Sequence, residues 1–164
     1  VGFEVALLAA AHDRTAFDCG EPALDRYLRE LAMQDAKRRV SNCFVALDDA
    51  GAIAGYFTLA ASGIPVDELS DATKKRLPRY PLLPACLIGR LAVDRRFRGL
   101  GLGGALLMEA AIRASRAEPA VLAMIVDAKD EKAAAFYEHH GFSRFASRPK
   151  SLYLPLATAL KAKG

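Results

Sequence analysis

The sequence is poor in the residues that staple small proteins or hold metals. Its three cysteines, Cys19, Cys43 and Cys86, are odd in number and scattered over 164 residues. They exclude a disulfide-stapled scaffold and point to a reducing, cytoplasmic setting. Histidine occurs only at His12, His139 and His140, with no Cys-x-x-Cys or His-Glu-x-x-His spacing, so no metal site is expected. Long apolar runs are missing too. Val5–Ala11 and Leu82–Gly89 fall well short of the ~20 residues of a membrane helix, so no membrane partner is expected. The apolar segment Val1–Ala11 contains Glu4 and has no basic stretch before it, and it reads as a first strand rather than a signal peptide. There is no internal repeat and no low-complexity tract.

What is present is ordinary globular material. Hydrophobic residues make up 52% and charged residues 26%, which excludes a disordered chain and a coiled coil. The length supports one core, so a single domain over residues 1–164 is expected. The net charge of +4 is mild, but the cations are clustered as Lys37-Arg38-Arg39, Lys74-Lys75-Arg76 with Arg79, and Arg95-Arg96 with Arg98. Gathered on one face, such clusters would bind a polyanion; left apart, they are solvated surface.

Periodicity sets out the elements. Phe3–Ala9 reads as a strand. Pro22 stands where a first helical residue belongs, and Leu24, Leu28, Leu31, Ala32 and Ala36 predict an amphipathic helix to about Arg39. Cys43–Leu47 and Ala52–Ala61 flank the turn Asp48-Asp49-Ala50-Gly51 as a hairpin. A short helix is expected over Ser70–Leu77, capped by Ser70, followed by a buried strand over Ala85–Val93. Leu102, Leu106, Ala110 and Ala114 form a helical stripe, Val121–Val126 another strand, and Asp130 caps a helix that stops at Gly141. Two short strands near Phe142–Phe145 and Ser151–Leu154 close the chain. This succession is that of an α/β protein with a mostly antiparallel first half.

The strongest local signal is Arg96-Phe97-Arg98-Gly99-Leu100-Gly101-Leu102-Gly103-Gly104. Glycines let backbone N–H groups converge on an anion, the following helix adds its N-terminal partial charge, and Arg96 and Arg98 add full charges. The composition suits a pyrophosphate. No Lys-Ser/Thr follows the glycines, so a P-loop is excluded. A dinucleotide fold is a rival, because Gly99, Gly101 and Gly104 satisfy G-x-G-x-x-G and Asp127 follows at the distance of a ribose-binding acid. Against it, Asp94–Arg98 separate the strand from the first glycine, and the loop comes late for a doubly wound sheet. A glycine-rich turn with no ligand is the bland alternative.

These motifs resemble the GNAT family of N-acetyltransferases. Arg96-x-x-Gly99-x-Gly101 between a strand and a helix is similar to the family's acyl-CoA loop. Leu91-Ala92-Val93-Asp94 stands where its fourth strand enters that loop, and Ala134-x-Phe136-Tyr137-Glu138-x-x-Gly141-Phe142 resembles its A-x-x-Y-x-x-x-G-F segment. Asp130 departs from the asparagine of many members. The resemblance implies a GNAT fold: a mixed central sheet, splayed between strands 4 and 5 and flanked by helices. It also implies acetyl-CoA as acetyl donor, bound by Leu91, Ala92, Val93, Arg96, Arg98, Gly99, Leu100, Gly101, Leu102, Gly103 and Gly104. Within the family the chain resembles the toxins of bacterial toxin–antitoxin modules, through Phe17-Asp18-Cys19-Gly20, Leu24-Asp25-Arg26-Tyr27-Leu28, Gln34-Asp35-Ala36, Arg39-Val40, Gly55-Tyr56-Phe57-Thr58-Leu59, Leu77-Pro78-Arg79-Tyr80-Pro81 and Ile88-Gly89-Arg90-Leu91-Ala92-Val93-Asp94. That likeness implies acetylation of the α-amine of aminoacyl-tRNA, a block of translation, a ribbon-helix-helix antitoxin and a homodimer.

Acetyl transfer needs a neutral amine and a proton for the departing thiolate. With the resemblance, Tyr137 is the candidate acid, since a phenol of pKa near 10 is close to a thiolate of roughly 8.5–10. No carboxylate lies on Ala85–Val93 to serve as base. An α-amine, at about 7.7–8.0, needs one less than a lysine at about 10.4, so an α-amine acceptor fits better. The backbone N–H groups near Leu91–Val93 are candidates to polarise the thioester carbonyl. Arg90 and Arg79 are candidates for the acceptor end, and Lys37, Arg38, Lys74 and Lys75 for tRNA phosphates. A small-molecule acetyltransferase acting on a polyamine or antibiotic amine, and a non-catalytic acyl-CoA-binding module, are the alternatives.

Overall fold

The computed structural model describes residues 2–163. Val1 and Gly164 lie outside them, so the strand expected over Val1–Ala11 and the domain expected over 1–164 are described without those ends. Seven strands follow one another in the hydrogen-bonded order β1-β2-β3-β4-β5-β7-β6. They are β1 (Glu4–Leu7), β2 (Asn42–Leu47), β3 (Ile53–Pro65), β4 (Leu82–Val93), β5 (Ala123–Asp127), β6 (Ser143–Arg144) and β7 (Ser151–Pro155). The chain divides into two compact units, residues 1–60 with 89–110, and residues 61–88 with 111–164.

In the first unit β1 pairs antiparallel with β2, and β2 with β3. The β2–β3 turn is built by Asp48, whose Oδ1 accepts from the backbone N–H groups of Ala50 and Ala52 at 3.0 and 2.8 Å. That local bonding is why Asp favours such turns. The predicted helix from Pro22 is three pieces: α1 (Pro22–Arg26), a π-helical turn (Tyr27–Leu31) and α2 (Ala32–Lys37). The wide turn changes the expected stripe. The N–H of Ala32 bonds the carbonyl of Tyr27, placing these residues on one face, and both are buried. Leu31, which straight helical spacing places inward, is instead 40% exposed. Tyr27, Leu28 and Ala32 pack with Leu8, Phe17, Cys43, Val45, Ile53, Tyr56 and Ala92. Arg39 ends the helix with φ 59°, the N–H groups of Arg39 and Val40 bonding the carbonyls of Ala36 and Asp35. This is a Schellman ending with arginine in the place usually held by glycine.

In the second unit β4 and β5 run parallel, in pairs from Ala85–Ala123 to Ile88–Val126. Strand β7 pairs antiparallel with β5 and with β6. Its core gathers Ile64, Leu69, Leu83, Ala85, Ala123, Ile125, Phe145 and Tyr153. Helix α3 (Asp71–Lys74) is capped by Ser70 as expected, its Oγ accepting from Thr73 N–H at 3.2 Å. It stops before the expected Leu77. The following bonds, Arg76 N–H to Thr73 and Leu77 N–H to Lys74, are the tighter i to i+3 kind, and Pro78 disfavours helical backbone at Leu77. Helix α4 (Leu102–Ser115) begins in the first unit and ends in the second. Helix α5 (Glu131–His139) is capped by Asp130, whose Oδ1 accepts from Ala133 N–H at 2.8 Å. Two strands do not close the chain. A sixth helix, α6 (Leu156–Lys163), follows β7, burying Leu156 and Ala159.

Candidate functional site

The loop that leads out of β4 is organised by a buried carboxylate. Asp94 is 1% exposed. Its Oδ2 accepts from Asp18 N–H at 2.9 Å and from Arg96 Nη2 at 3.2 Å. Its Oδ1 accepts from Arg96 N–H at 2.9 Å and from Arg96 Nε at 3.0 Å. Burial raises the pKa of such an acid, but these donors outweigh it and hold the carboxyl below its ordinary value. The same residues close a 3₁₀ turn over Arg95–Phe97. Arg98 then donates from Nη2 to the Cys19 carbonyl at 2.6 Å. Arg98 therefore anchors the loop directly to the segment around Asp18 and Cys19, and Arg96 does so through Asp94.

Beyond Arg98 the backbone opens. Gly99 and Gly101 have φ 78° and 76°, a region that disfavours side chains, and a Cβ at either would point into open space with nothing within 4 Å. Gly101 accepts from Ala105 N–H at 3.1 Å, so α4 begins directly after it. The first N–H groups of α4, at Leu102, Gly103 and Gly104, have no partner one turn back. Helix α4 is held down by its apolar face: Leu102, Leu106 and Ala110 are buried. Its close approach to β3 requires Gly55, where a Cβ would meet the Ala92 carbonyl and Leu106 Cδ1, each at 3.0 Å. Leu102 and Ala92 bury their side chains, which leaves only their backbone to meet a ligand, whereas Leu100 is exposed. An open cradle of backbone N–H groups ahead of a fourteen-residue helix fits a diphosphate.

Two more arrangements belong to single units. In the first, the Arg90 guanidinium lies 3.6 Å from the centre of the Tyr27 ring, and the Tyr27 hydroxyl donates to Asp35 Oδ2 at 2.7 Å. The Arg90 N–H is bonded to the buried Thr58 Oγ1 at 3.0 Å. Lys37 and Arg38 are exposed at the end of α2. In the second unit Tyr137 lies half-buried on α5, its ring edge-on to Phe136 and Phe142 at 5.3 and 5.5 Å. Burial pushes its phenol up to about 12, above the expected value near 10. Lys74, Lys75 and Arg79 line one open groove of about 550 Å³ together with Tyr80 and the apolar Val66, Leu77, Pro78 and Pro81. Among the described residues, no three His, Cys, Asp or Glu side chains converge as metal ligands, and no helix is long and apolar enough to cross a membrane.

The model of the acetyltransferase (GNAT) domain matches residues 39–144. The chain belongs to the GNAT acetyltransferase family. A curated relative, a tRNA-acetylating toxin of Mycobacterium tuberculosis (strain ATCC 25618 / H37Rv), is 34% identical over 154 residues, covering 93% of this chain and 91% of the relative. The solved structure of AtaT complexed with acetyl-methionyl-tRNAfMet superposes with a TM-score of 0.87 at 27% identity, covering 99% of this chain and all of the other. AtaTR bound with AcCoA superposes at 0.83 with 25% identity, covering 99% of this chain and 98% of the other.

In this GNAT acetyltransferase the glycine loop is marked in the sequence by its composition, whereas the side chains that support it are not. Asp94, the first residue of the loop in the sequence, is the hub that ties Arg96 to Asp18. Its one mark in the sequence is that it is a lone acid closing an apolar strand. Thr58 gave no such signal, since its partner is the backbone of a residue 32 positions away.

Proposed function

We propose that this acetyltransferase transfers acetyl from acetyl-CoA to the α-amine of aminoacyl-tRNA and so acts as a translation-blocking toxin. The observation that carries the reading is the likeness, over 93% of the chain, to a tRNA-acetylating toxin. The basic groove of Lys74, Lys75 and Arg79 and the exposed cations Lys37 and Arg38 support it, because RNA is bound chiefly through its phosphates. In this reading the protein works in the cytoplasm as a homodimer, restrained by a ribbon-helix-helix antitoxin.

The roles follow the chemistry. The donor supplies a thioester acetyl, whose transfer forms a C–N bond, breaks the C–S bond, and leaves nitrogen with a proton to lose and sulfur with one to gain. The N–H groups of Arg98–Gly104 hold the diphosphate, with Arg96 and Arg98 fixing the loop and lending charge. The backbone around Leu91–Val93 polarises the acetyl carbonyl. Tyr137 donates the proton to sulfur. Its raised pKa keeps it protonated at neutral pH, and the same burial that disfavours tyrosinate also raises the pKa of a nearby thiolate, which narrows the mismatch. An α-amine near 7.7–8.0 is partly neutral already, so a dedicated base is not required. Arg90, held against Tyr27, and Arg79 receive the acceptor end.

Incubation of the purified protein with labelled acetyl-CoA and a panel of aminoacyl-tRNAs tests the proposal. Label should appear on the α-amine of at least one aminoacyl-tRNA. Label on polyamines or antibiotic amines alone would replace this reading with small-molecule acetylation, and acetyl-CoA uptake without transfer would replace it with a binding module.

A further inference from the structure

The groove of the second unit contains an aromatic residue that the roles above leave unused. Tyr80 is 63% exposed, a large ring left in solvent where burial would be favourable. It sits in Pro78-Arg79-Tyr80-Pro81, where the flanking prolines restrict the backbone. The Pro81 carbonyl accepts from Val66 N–H at 3.1 Å, tying the segment to the 3₁₀ turn Val66–Glu68. The ring is thus presented by a stiff backbone rather than held by packing. Around it the cations differ in their balance. Lys74 lies 3.9 Å from both Asp67 and Asp71. Among the described residues, Lys75 and Arg79 have no carboxylate partner. Val66, Leu77 and Pro78 supply apolar wall between them.

An exposed aromatic face flanked by uncompensated cations is the chemistry that recognises unpaired nucleotides: the ring stacks on a base and the cations meet its phosphates. An acidic peptide would use the cations but gain little from the ring. We propose that Tyr80 is the stacking platform for an unpaired base of the RNA acceptor end, with Lys75 and Arg79 on the neighbouring phosphates. This rests on the aminoacyl-tRNA reading. It adds a residue that sets how the RNA end is held.

The test uses the full chain and two RNA stem-loops, one blunt and one with a short unpaired 3′ overhang carrying 2-aminopurine. The parent should bind the overhang RNA more tightly and quench its fluorescence by stacking. Tyr80→Leu should weaken overhang binding roughly ten-fold, in line with base–aromatic stacking, and abolish the quench. It should raise KM for aminoacyl-tRNA while leaving kcat, acetyl-CoA binding and blunt-RNA binding as they were. Tyr80→Phe should behave as the parent. Equal quenching and affinity in Tyr80→Leu would overturn the stacking role even with tRNA acetylation intact. A loss of blunt-RNA binding equal to the loss of overhang binding would overturn it too. Failure of the parent to acetylate any aminoacyl-tRNA would instead defeat the acceptor reading on which the inference rests.

Discussion

Replacing Asp94 with asparagine removes one charge and almost no volume, so it isolates what the buried carboxylate does. Asp94 accepts four hydrogen bonds, two on each oxygen. An amide oxygen can keep one pair. The amide nitrogen, wherever it points, faces two donors and brings two N–H donors of its own. If the oxygen keeps the Arg96 N–H and Nε, the Asp18 N–H loses its acceptor. Leaving such a donor unsatisfied costs about 1–3 kcal/mol. The lost bond to Arg96 Nη2 adds less than a buried ion pair would, because the Arg96 side chain is 53% exposed and solvent screens it. A total of about 2–3 kcal/mol translates to a fall in Tm of roughly 5–10 °C for a chain of this size. Thermal unfolding across pH checks the cause. The folded pKa of Asp94 is depressed, so its stabilisation is fully present above the unfolded value of about 3.9 and is lost as pH falls through the folded value. The gap between parent and Asp94→Asn should be full at pH 7 and narrow below about pH 4. Acetyl-CoA affinity, read by calorimetry, should fall as well, since Arg96 loses its anchor. A variant that melts with the parent at pH 7, or a gap that widens in acid, would refute this account of the loop.

Four other expectations follow from the candidate site. Tyr137→Phe should keep acetyl-CoA binding in calorimetry and lose roughly 10²–10⁴ in kcat, the usual worth of a general acid. In the parent, kcat/KM should rise with pH through the amine's pKa near about 8 and then stay level, because the phenol near 12 remains protonated; a descending limb centred between about 8 and 10 would contradict that assignment. Gly101→Ala places a Cβ at φ 76° in open space, so the cost is conformational, about 1–2 kcal/mol, and acetyl-CoA affinity should drop with little change in kcat at saturation. Reversing charge at Lys74 and Lys75 together should reduce acetylation of aminoacyl-tRNA and flatten its salt dependence; unchanged rates and slope would remove the groove from the RNA surface.

Much of the fold was legible because it depends on local rules. Ser70 and Asp130 cap their helices as short polar side chains do, and Asp48 builds the hairpin turn. Leu102, Leu106, Ala110 and Ala114 form a buried stripe because a regular helix repeats its face. The same rule failed at Leu31, because a π-helical turn rotates the face and no local pattern announces it. Leu156, Ala159 and Leu160 of α6 repeat at helical spacing over too short a stretch for the stripe to stand out in the sequence.

The candidate site divides along the same line. Gly99 and Gly101 could be read directly, since a backbone at positive φ before a helix leaves its mark as glycine in the chain itself. The clustering of Lys74, Lys75 and Arg79 with Tyr80 needed the tertiary structure, because a groove is defined by what packs behind it. The Asp94 hub, the Thr58 bond to Arg90 and the Arg90–Tyr27 stack were decided there too. Each joins residues distant in sequence, and the energy of a buried hydrogen bond or a cation on a ring exists only once folding has excluded water from between the partners.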